Sequence, residues 1–323
     1  MNANTKELLK KLQPLVALAV MVVALSLCSD KFLTFANQRN ILLQISVNLC
    51  LSIGMTLIIL TGGIDLSVGA ILAFGGAFAA GLLKNGFVLK TFGVVLQFTT
   101  FGAIVAGIAA GLVLGWFNGF VITKFKLPPF VATLGMFSIA RGLTMLWTGG
   151  FPITDLGPGF GFIGTGFWLR VPMAVWISAG LVVIFYAVSR QTTLGRYIYA
   201  VGGNERATSY SGINVKRVKL WVYALGGALA AVGGLILTAR LDAADPKAGL
   251  GYELDSIAAV VIGGTSLSGG RGSILGTVLG CLIIGVLNDG LFLLDVSPFW
   301  QQVVKGFVIL AAVAADKMGS REE

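Results

Sequence analysis

From Leu194 to Lys219 the chain reads LGRYIYAVGGNERATSYSGINVKRVK, a polar island with long apolar runs on both sides. Inside it Gly202 and Gly203 loosen the backbone, and Asn204 stands where a helix needs a cap. An asparagine oxygen at that position accepts from the free N–H groups of the next turn. Glu205 adds a negative charge at the positive end of the helix, and Gly212 supplies the left-handed residue that commonly closes one. These signals predict a helix of about two turns, Asn204 to Ser211, too short to persist alone in water. Such a helix either rests passively on its own protein or docks on another.

The flanks decide what surrounds the island. Of 323 residues, 56% are hydrophobic and 11% are charged, where a soluble domain carries about 25% charged residues. A soluble fold of this size has nowhere to hide so much apolar surface, so lipid is the solvent. At about 20 residues per span, roughly ten spans would consume some 200 residues and leave short loops. The expectation is an all-α integral membrane protein of about ten transmembrane helices, one transmembrane domain over residues 1–323 with no appended soluble domain. The net charge of +9 fits the Lys/Arg excess at cytoplasmic span ends better than it fits nucleic acid. No histidine is present, which removes the commonest general base and metal ligand. Cys28, Cys50 and Cys281 lie in apolar runs, too scattered for a zinc pattern, and read as small buried apolar side chains.

Apolar runs fall near 14–29, 41–60, 66–83, 98–122, 129–147, 172–188, 219–239, 254–268, 273–291 and 299–316. The fourth is long enough to tilt or bend and the eighth is short. The first follows Lys6, Lys10 and Lys11 like a signal sequence, but Leu27 is too large for the cleavage position before Cys28. It reads as an uncleaved first span. With the N-terminus inside, the cytoplasmic side receives Lys6, Lys10, Lys11, Lys124, Lys126, Arg190, Arg196, Arg206, Lys216, Arg217, Lys219, Arg271, Lys317 and Arg321. The outside receives Lys31, Arg39, Lys84, Lys90, Arg170, Arg240 and Lys247. That bias places both termini and the polar island in the cytoplasm.

Two larger loops are expected outside, Thr148 to Val171 and Arg240 to Leu254. The first contains GFGFIG, Gly159 to Gly164. Although it matches G-x-G-x-x-G, it neither follows a strand nor opens a βαβ unit, so it is not read as a nucleotide site. The second mixes Asp242, Asp245 and Glu253 with Arg240 and Lys247, as a solvated loop or a contact surface would. A local echo also stands out: GGIDLS (Gly62 to Ser67) parallels GGTSLS (Gly263 to Ser268). Both are expected as tight cytoplasmic corners between spans, with a gate as the alternative reading.

Little in the chain suggests catalysis. It has no G-x-x-x-x-G-K-[ST] phosphate loop and no His-based or metal cluster, so no cofactor is expected in it. Arg141 and Lys305 are charges predicted within spans, where each costs about 2.5–3.5 kcal/mol at a helix centre on insertion scales. Each is read either as a structural anchor snorkelling to the interface or as part of a solute path. Asn48, Asn118 and Asn288, with the aromatic pair Trp116 and Phe117, either line such a path or bridge helices. Asp65 is expected to cap the next helix. The glycine pairs Gly75-Gly76, Gly226-Gly227 and Gly233-Gly234 predict closely packed helices.

Three stretches carry a resemblance: GMTLIILTGGIDLSVG (Gly54 to Gly69), LGRYIYAVGGNERATSYSGINV (from Leu194) and GYELDSIAAVVIGGTSLSGGRG (Gly251 to Gly272). Together they resemble the permease subunits of ABC sugar importers, the ribose permease family in particular, from about Asn40 to the end of the chain. The resemblance implies that loop 190–219 holds the short cytoplasmic coupling helix, with Gly202, Gly203, Asn204, Glu205, Arg206, Ala207 and Gly212 fitting a cleft on an ATP-hydrolysing subunit. It also implies the partners: an ATP-binding subunit with paired nucleotide-binding domains that holds the ATP and magnesium, an extracytoplasmic sugar-binding protein and a second permease copy. The site would be the inner membrane and the cargo a monosaccharide, ribose first, with other pentoses or hexoses, inositol, furanosyl signal molecules and nucleosides as alternatives. A self-contained transporter or channel is the rival class. The scarcity of ionisable groups in the spans argues against proton coupling there.

Overall fold

The computed structural model describes residues 3–89 and 93–319. Lys90 and Arg321, counted above for orientation, lie outside the described residues, as do the side chains of Lys6, Lys10 and Lys11. The chain runs α1 (Ala3–Cys28), α2 (Phe35–Leu60), α3 (Val68–Asn85), β1 (Phe87–Leu89), β2 (Val94–Leu96), α4 (Thr100–Phe125), α5 (Pro129–Thr148), β3 (Ile153–Thr154) and α6 (Pro158–Thr165). It continues through β4 (Phe167–Trp168), β5 (Val171–Pro172), α7 (Met173–Gln191), α8 (Thr193–Gly203), α9 (Glu205–Tyr210) and α10 (Val215–Leu241). Last come β6 (Ala243–Ala244), α11 (Tyr252–Ile262), α12 (Ile274–Leu293) and α13 (Pro298–Gly319).

Helix starts are written in the sequence. Thr34, Thr99, Thr192, Asn204, Asn214 and Ser273 each accept a backbone N–H three residues on, capping α2, α4, α8, α9, α10 and α12. Among the described residues seven helices, α2, α3, α4, α5, α7, α10 and α12, are long and apolar enough to cross a membrane. Shorter apolar stretches lie in α1 (Pro14–Cys28) and α13 (Pro298–Ala314). With α11 these match the ten predicted runs in order. The eighth run differs: it is helical over Tyr252–Ile262, about 16 Å at 1.5 Å per residue, half of a hydrocarbon core of about 30 Å. The glycines from Gly263 on then turn the chain back.

Burial sorts the helices. The apolar windows of α2, α3 and α10 are 78%, 72% and 72% buried, while those of α4, α5 and α7 are 22% buried. The centre is therefore α10, packed on α2, α3 and α4. Small residues allow that approach: a methyl group on Gly234 would strike the Leu72 carbonyl, and one on Gly227 the Gly111 carbonyl. Specific polar cross-links join the helices. Thr56 and Thr277 hydroxyls meet at 2.6 Å between α2 and α12, and Trp147 Nε1 donates to the Ala77 carbonyl at 3.0 Å.

The bundle has two distinct ends, one carrying α8 and α9 and the other the short strands. At the strand end β3 pairs antiparallel with β6, Ile153 opposite Ala244, so the two larger loops lie together. GFGFIG is part of helix α6. Gly164 there serves packing, since a Cβ would collide with the backbone of Ala239 and Arg240. Cys50 and Cys281 are buried as expected, but Cys28, the last residue of α1, is exposed.

Candidate coupling and translocation sites

Thr192 caps α8, whose Ile198 and Val201 bury one face. The structure corrects the reading of Gly202-Gly203: both are helical and end α8, and neither loosens the chain. Gly202 is small because the Leu60 carbonyl and the Gly270 amide press against it, whereas nothing lies within 4 Å of a Cβ on Gly203. Asn204 then breaks the helix in extended conformation (φ −158°, ψ 101°) and its Oδ1 accepts from Ala207 N at 2.9 Å. Gly212 ends the turn with φ +83°.

Helix α9 barely touches its own protein. Of its six residues, Glu205, Arg206, Ala207, Ser209 and Tyr210 are exposed and Thr208 is buried. Thr208 Oγ1 donates to the carbonyls of Ala200 and Asn204, each at 2.8 Å. A second strut joins Glu205 to Lys219 Nζ at 2.7 Å. Glu205 is thus engaged within the loop, while Arg206 and Tyr210 stand free of the body; Tyr210 is 90% exposed. A helix held by one threonine and one ion pair does not rest on its own surface.

Beneath α9 the two echoed corners meet. Gly270 N donates to the Leu60 carbonyl at 3.0 Å, and a Cβ on Gly269 would fall 3.0 Å from Gly62 N. Tyr199 of α8 donates its hydroxyl to the Gly272 carbonyl at 2.9 Å. Burial pushes that phenol above its ordinary range, against the opposing pull of Arg190, so it remains a donor. Hence α8 holds both corners, one at Gly202 and the other at Tyr199 as well. Sequence reasoning noted the echo but had no sign that its copies touch.

The first corner is polar inside. Asp65 is fully buried and accepts from Ser67 N at 2.7 Å and Ser67 Oγ at 2.5 Å. It does not cap α3 as expected; Ser67 occupies the cap position and makes no side-chain cap bond. Asn118 Nδ2 donates to Ser67 Oγ at 2.9 Å, and Leu66 N donates to Thr133 Oγ1 at 3.2 Å. Asn118 therefore bridges α4 to this corner. Trp116 stacks on Phe120 at 5.5 Å on an exposed face. Phe117 and Asn118 line an open cleft of about 230 Å³ between α4 and α5 with Val121, Val131 and Ile139, so most of its wall is apolar.

The strand end has its own polar centre, around the first turn of α11. Lys305 Nζ lies 3.0 Å from Asp255 Oδ2, and Asn288 Nδ2 lies 3.4 Å from the same oxygen. Nearby, Arg141 Nη1 donates to the carbonyls of Pro246 and Ala248 at 2.6 and 2.9 Å. Glu253 Oε1 accepts from Gly251 N at 3.2 Å, and its Oε2 is buried without a partner. Arg141, Asn288 and Lys305 thus gather around α11 and the loop before it. Asn48 stays apart, accepting from Ser52 Oγ at 3.4 Å. Sequence reasoning missed Asp255, which reads as an ordinary first-turn acid until Lys305 is brought against it.

Residues 37–313 match the family described as branched-chain amino acid transport system / permease component. The chain belongs to that permease family. The matched span takes in the loop of α8 and α9, both corners and the centre at α11. The permease is 49% identical to the ribose import permease protein RbsC of Bacillus subtilis, over 97% of this chain and 94% of that one. It is 46% identical to the ribose import permease protein RbsC of Escherichia coli K12, over 97% and 95%. The xylose transport system permease protein XylH of Haemophilus influenzae is 35% identical, over 95% and 96%. No solved structure matches the permease. It is a multi-pass membrane protein, and the resemblance read from its three motifs extends over nearly its full length.

Proposed function

We infer that the permease is the membrane subunit of an ATP-driven sugar importer and that ribose is its cargo. The observation that carries this is α9, a capped helix with one buried residue, in a chain 46–49% identical to ribose import permeases. A helix so exposed needs a partner surface, and its surroundings describe that surface. Arg190, Arg196, Arg206, Lys216, Arg217 and Lys219 face the single acid Glu205 within residues 190–219. An acidic cleft with an apolar socket for Tyr210 fits it.

In this reading residues 1–323 act as one permease domain of the inner membrane, with both termini and α9 in the cytoplasm. The ATP-binding subunit carries paired nucleotide-binding domains and holds ATP and magnesium. A binding protein delivers sugar at the strand end, and a second copy of the chain completes the path, sharing the apolar faces with lipid. ATP shifts the population between outward- and inward-open forms only by binding one better than the other. The test is capture of the ATP-binding subunit by purified permease, alongside ATP-driven ribose uptake in liposomes. Arg206→Glu with Tyr210→Ala should lower both at least tenfold and leave membrane insertion unchanged. Capture and uptake at wild-type level would remove α9 from the docking role, and gradient-driven uptake by the permease alone would remove the importer reading.

A further inference from the structure

The ion pair of Asp255 and Lys305 sits where hydrocarbon makes charge expensive. Lys305 lies seven residues into α13 from Pro298, about 10 Å along the helix, and it occupies the face of α13 turned to the bundle. Asp255 is 7% exposed, while the Lys305 side chain is 27% exposed. The pair is therefore inside the protein but not sealed. A purely structural link between α11 and α13 would be met as well by two apolar side chains, without the loss of solvation that buried charges carry.

The unused bonding capacity is specific. Among the described residues, Lys305 Nζ has Asp255 as its acceptor, which leaves ammonium donors over. Asp255 engages Lys305 and Asn288 through Oδ2, leaving Oδ1. Asn288 Oδ1 is buried without a partner. Donors on Lys305 thus stand beside acceptors on Asp255 and Asn288. Adjacent hydroxyls of a sugar each offer one donor and one acceptor, the complement of that set. Arg141 and Glu253 on the neighbouring side add unpartnered buried atoms, Nε, Nη2 and Oε2.

We propose that Asp255, Lys305 and Asn288 form a contact site for vicinal sugar hydroxyls on the translocation path, at the strand end of the bundle. This deepens the importer reading and rests on it. A neutral polyol supplies the missing partners as it passes, and the ion pair stays intact beside it.

The test uses the complete importer in liposomes with saturating ribose-loaded binding protein. Asp255→Asn and Lys305→Gln should each lower ATP-driven ribose uptake at least tenfold while ATP-binding-subunit capture stays at wild-type level. The exchanged pair Asp255→Lys with Lys305→Asp restores opposite charges but reverses donor and acceptor beside Asn288, so it should not restore uptake. Recovery of uptake by the exchange would show a strut and overturn the proposal, as would undiminished uptake in either single variant. Should the exchanged protein fail to elute as a folded species, Asn288→Ala decides: it keeps the ion pair, and uptake at wild-type level overturns the site, whereas a loss of threefold or more supports it. Wild-type uptake without the ATP-binding subunit would instead sink the importer reading.

Discussion

Gly202 and Gly203 are neighbours in sequence and both helical, yet alanine should act on them in opposite directions. At Gly203 a Cβ meets nothing within 4 Å, so the change brings the helix-propensity gain of roughly 0.8–1 kcal/mol and little else. At Gly202 the same gain is opposed by collision with the Leu60 carbonyl and the Gly270 amide. Those are backbone atoms and have no rotamer to escape into. Overpacking of this kind costs about 1–3 kcal/mol. Parting the two segments also strains the Gly270 N to Leu60 O bond of 3.0 Å, worth about 0.5–1.5 kcal/mol. The net is a loss on the order of 2 kcal/mol for Gly202→Ala, about thirtyfold in an equilibrium, against a small gain for Gly203→Ala. Paired thermal-stability and ATP-driven uptake measurements on the two variants test this. Gly202→Ala should lower the melting temperature and impair uptake, and Gly203→Ala should do neither. Equal behaviour of the two would refute the claim that α8 bears on both corners at Gly202.

Other expectations follow from single contacts. Asn204→Ala removes the 2.9 Å cap on Ala207 N, a loss of about 1 kcal/mol; trypsin should then cut at Arg206 roughly fivefold faster, and an unchanged rate would contradict the capping role. Thr56→Val and Thr277→Val each remove the 2.6 Å hydroxyl–hydroxyl bond while the remaining hydroxyl keeps its backbone acceptor, Ser273 O or Ser52 O, so each should cost about 0.5–1.5 kcal/mol and the double variant less than the sum of the two. Strict additivity of the two losses would exclude a shared bond. A membrane-impermeant maleimide should label exposed Cys28 from the outside of intact cells and leave buried Cys50 and Cys281 unmodified; labelling of Cys28 from the inside alone would reverse the proposed orientation.

What the sequence makes legible is whatever follows from local pattern. Apolar runs of span length, side-chain caps such as Asn204, and the positive-φ glycine at 212 depend on a few neighbouring residues, and each is where the pattern puts it. Helix α9 and its Asn204 cap were legible for the same reason. The misreadings arise where distant segments meet. Gly202 and Gly203 look alike until Leu60 and Gly270, far away in sequence, are brought against one of them. Asp65 has the offset of a capping residue, but Ser67 and Asn118 draw its environment into a buried network. Lys305 stays open between an anchor and a solute path in the sequence because nothing in its own helix reveals Asp255, 50 residues upstream, as its partner.

The same long-range meetings give the proposed coupling role of α9 a physical route into the bundle. Helix α8 presses on the first corner at Gly202 and grips the second through Tyr199, so a displacement of α9 reaches both at once. The second corner is the end of α11, eleven residues whose other end carries Asp255. From Asp255 a helical stretch of about 10 Å runs to the end of α11 at Ile262, and the non-helical second corner continues from there to the glycine junction at Gly269 and Gly270. Backbone-to-backbone contact at the junction transmits a small shift without the slack that flexible side chains would introduce. At the far end lies the 3.0 Å ion pair that joins α11 to the otherwise peripheral α13. Under the proposed function, work done on α9 by an ATP-binding partner would arrive at the proposed sugar contacts through α11 and the two glycine corners.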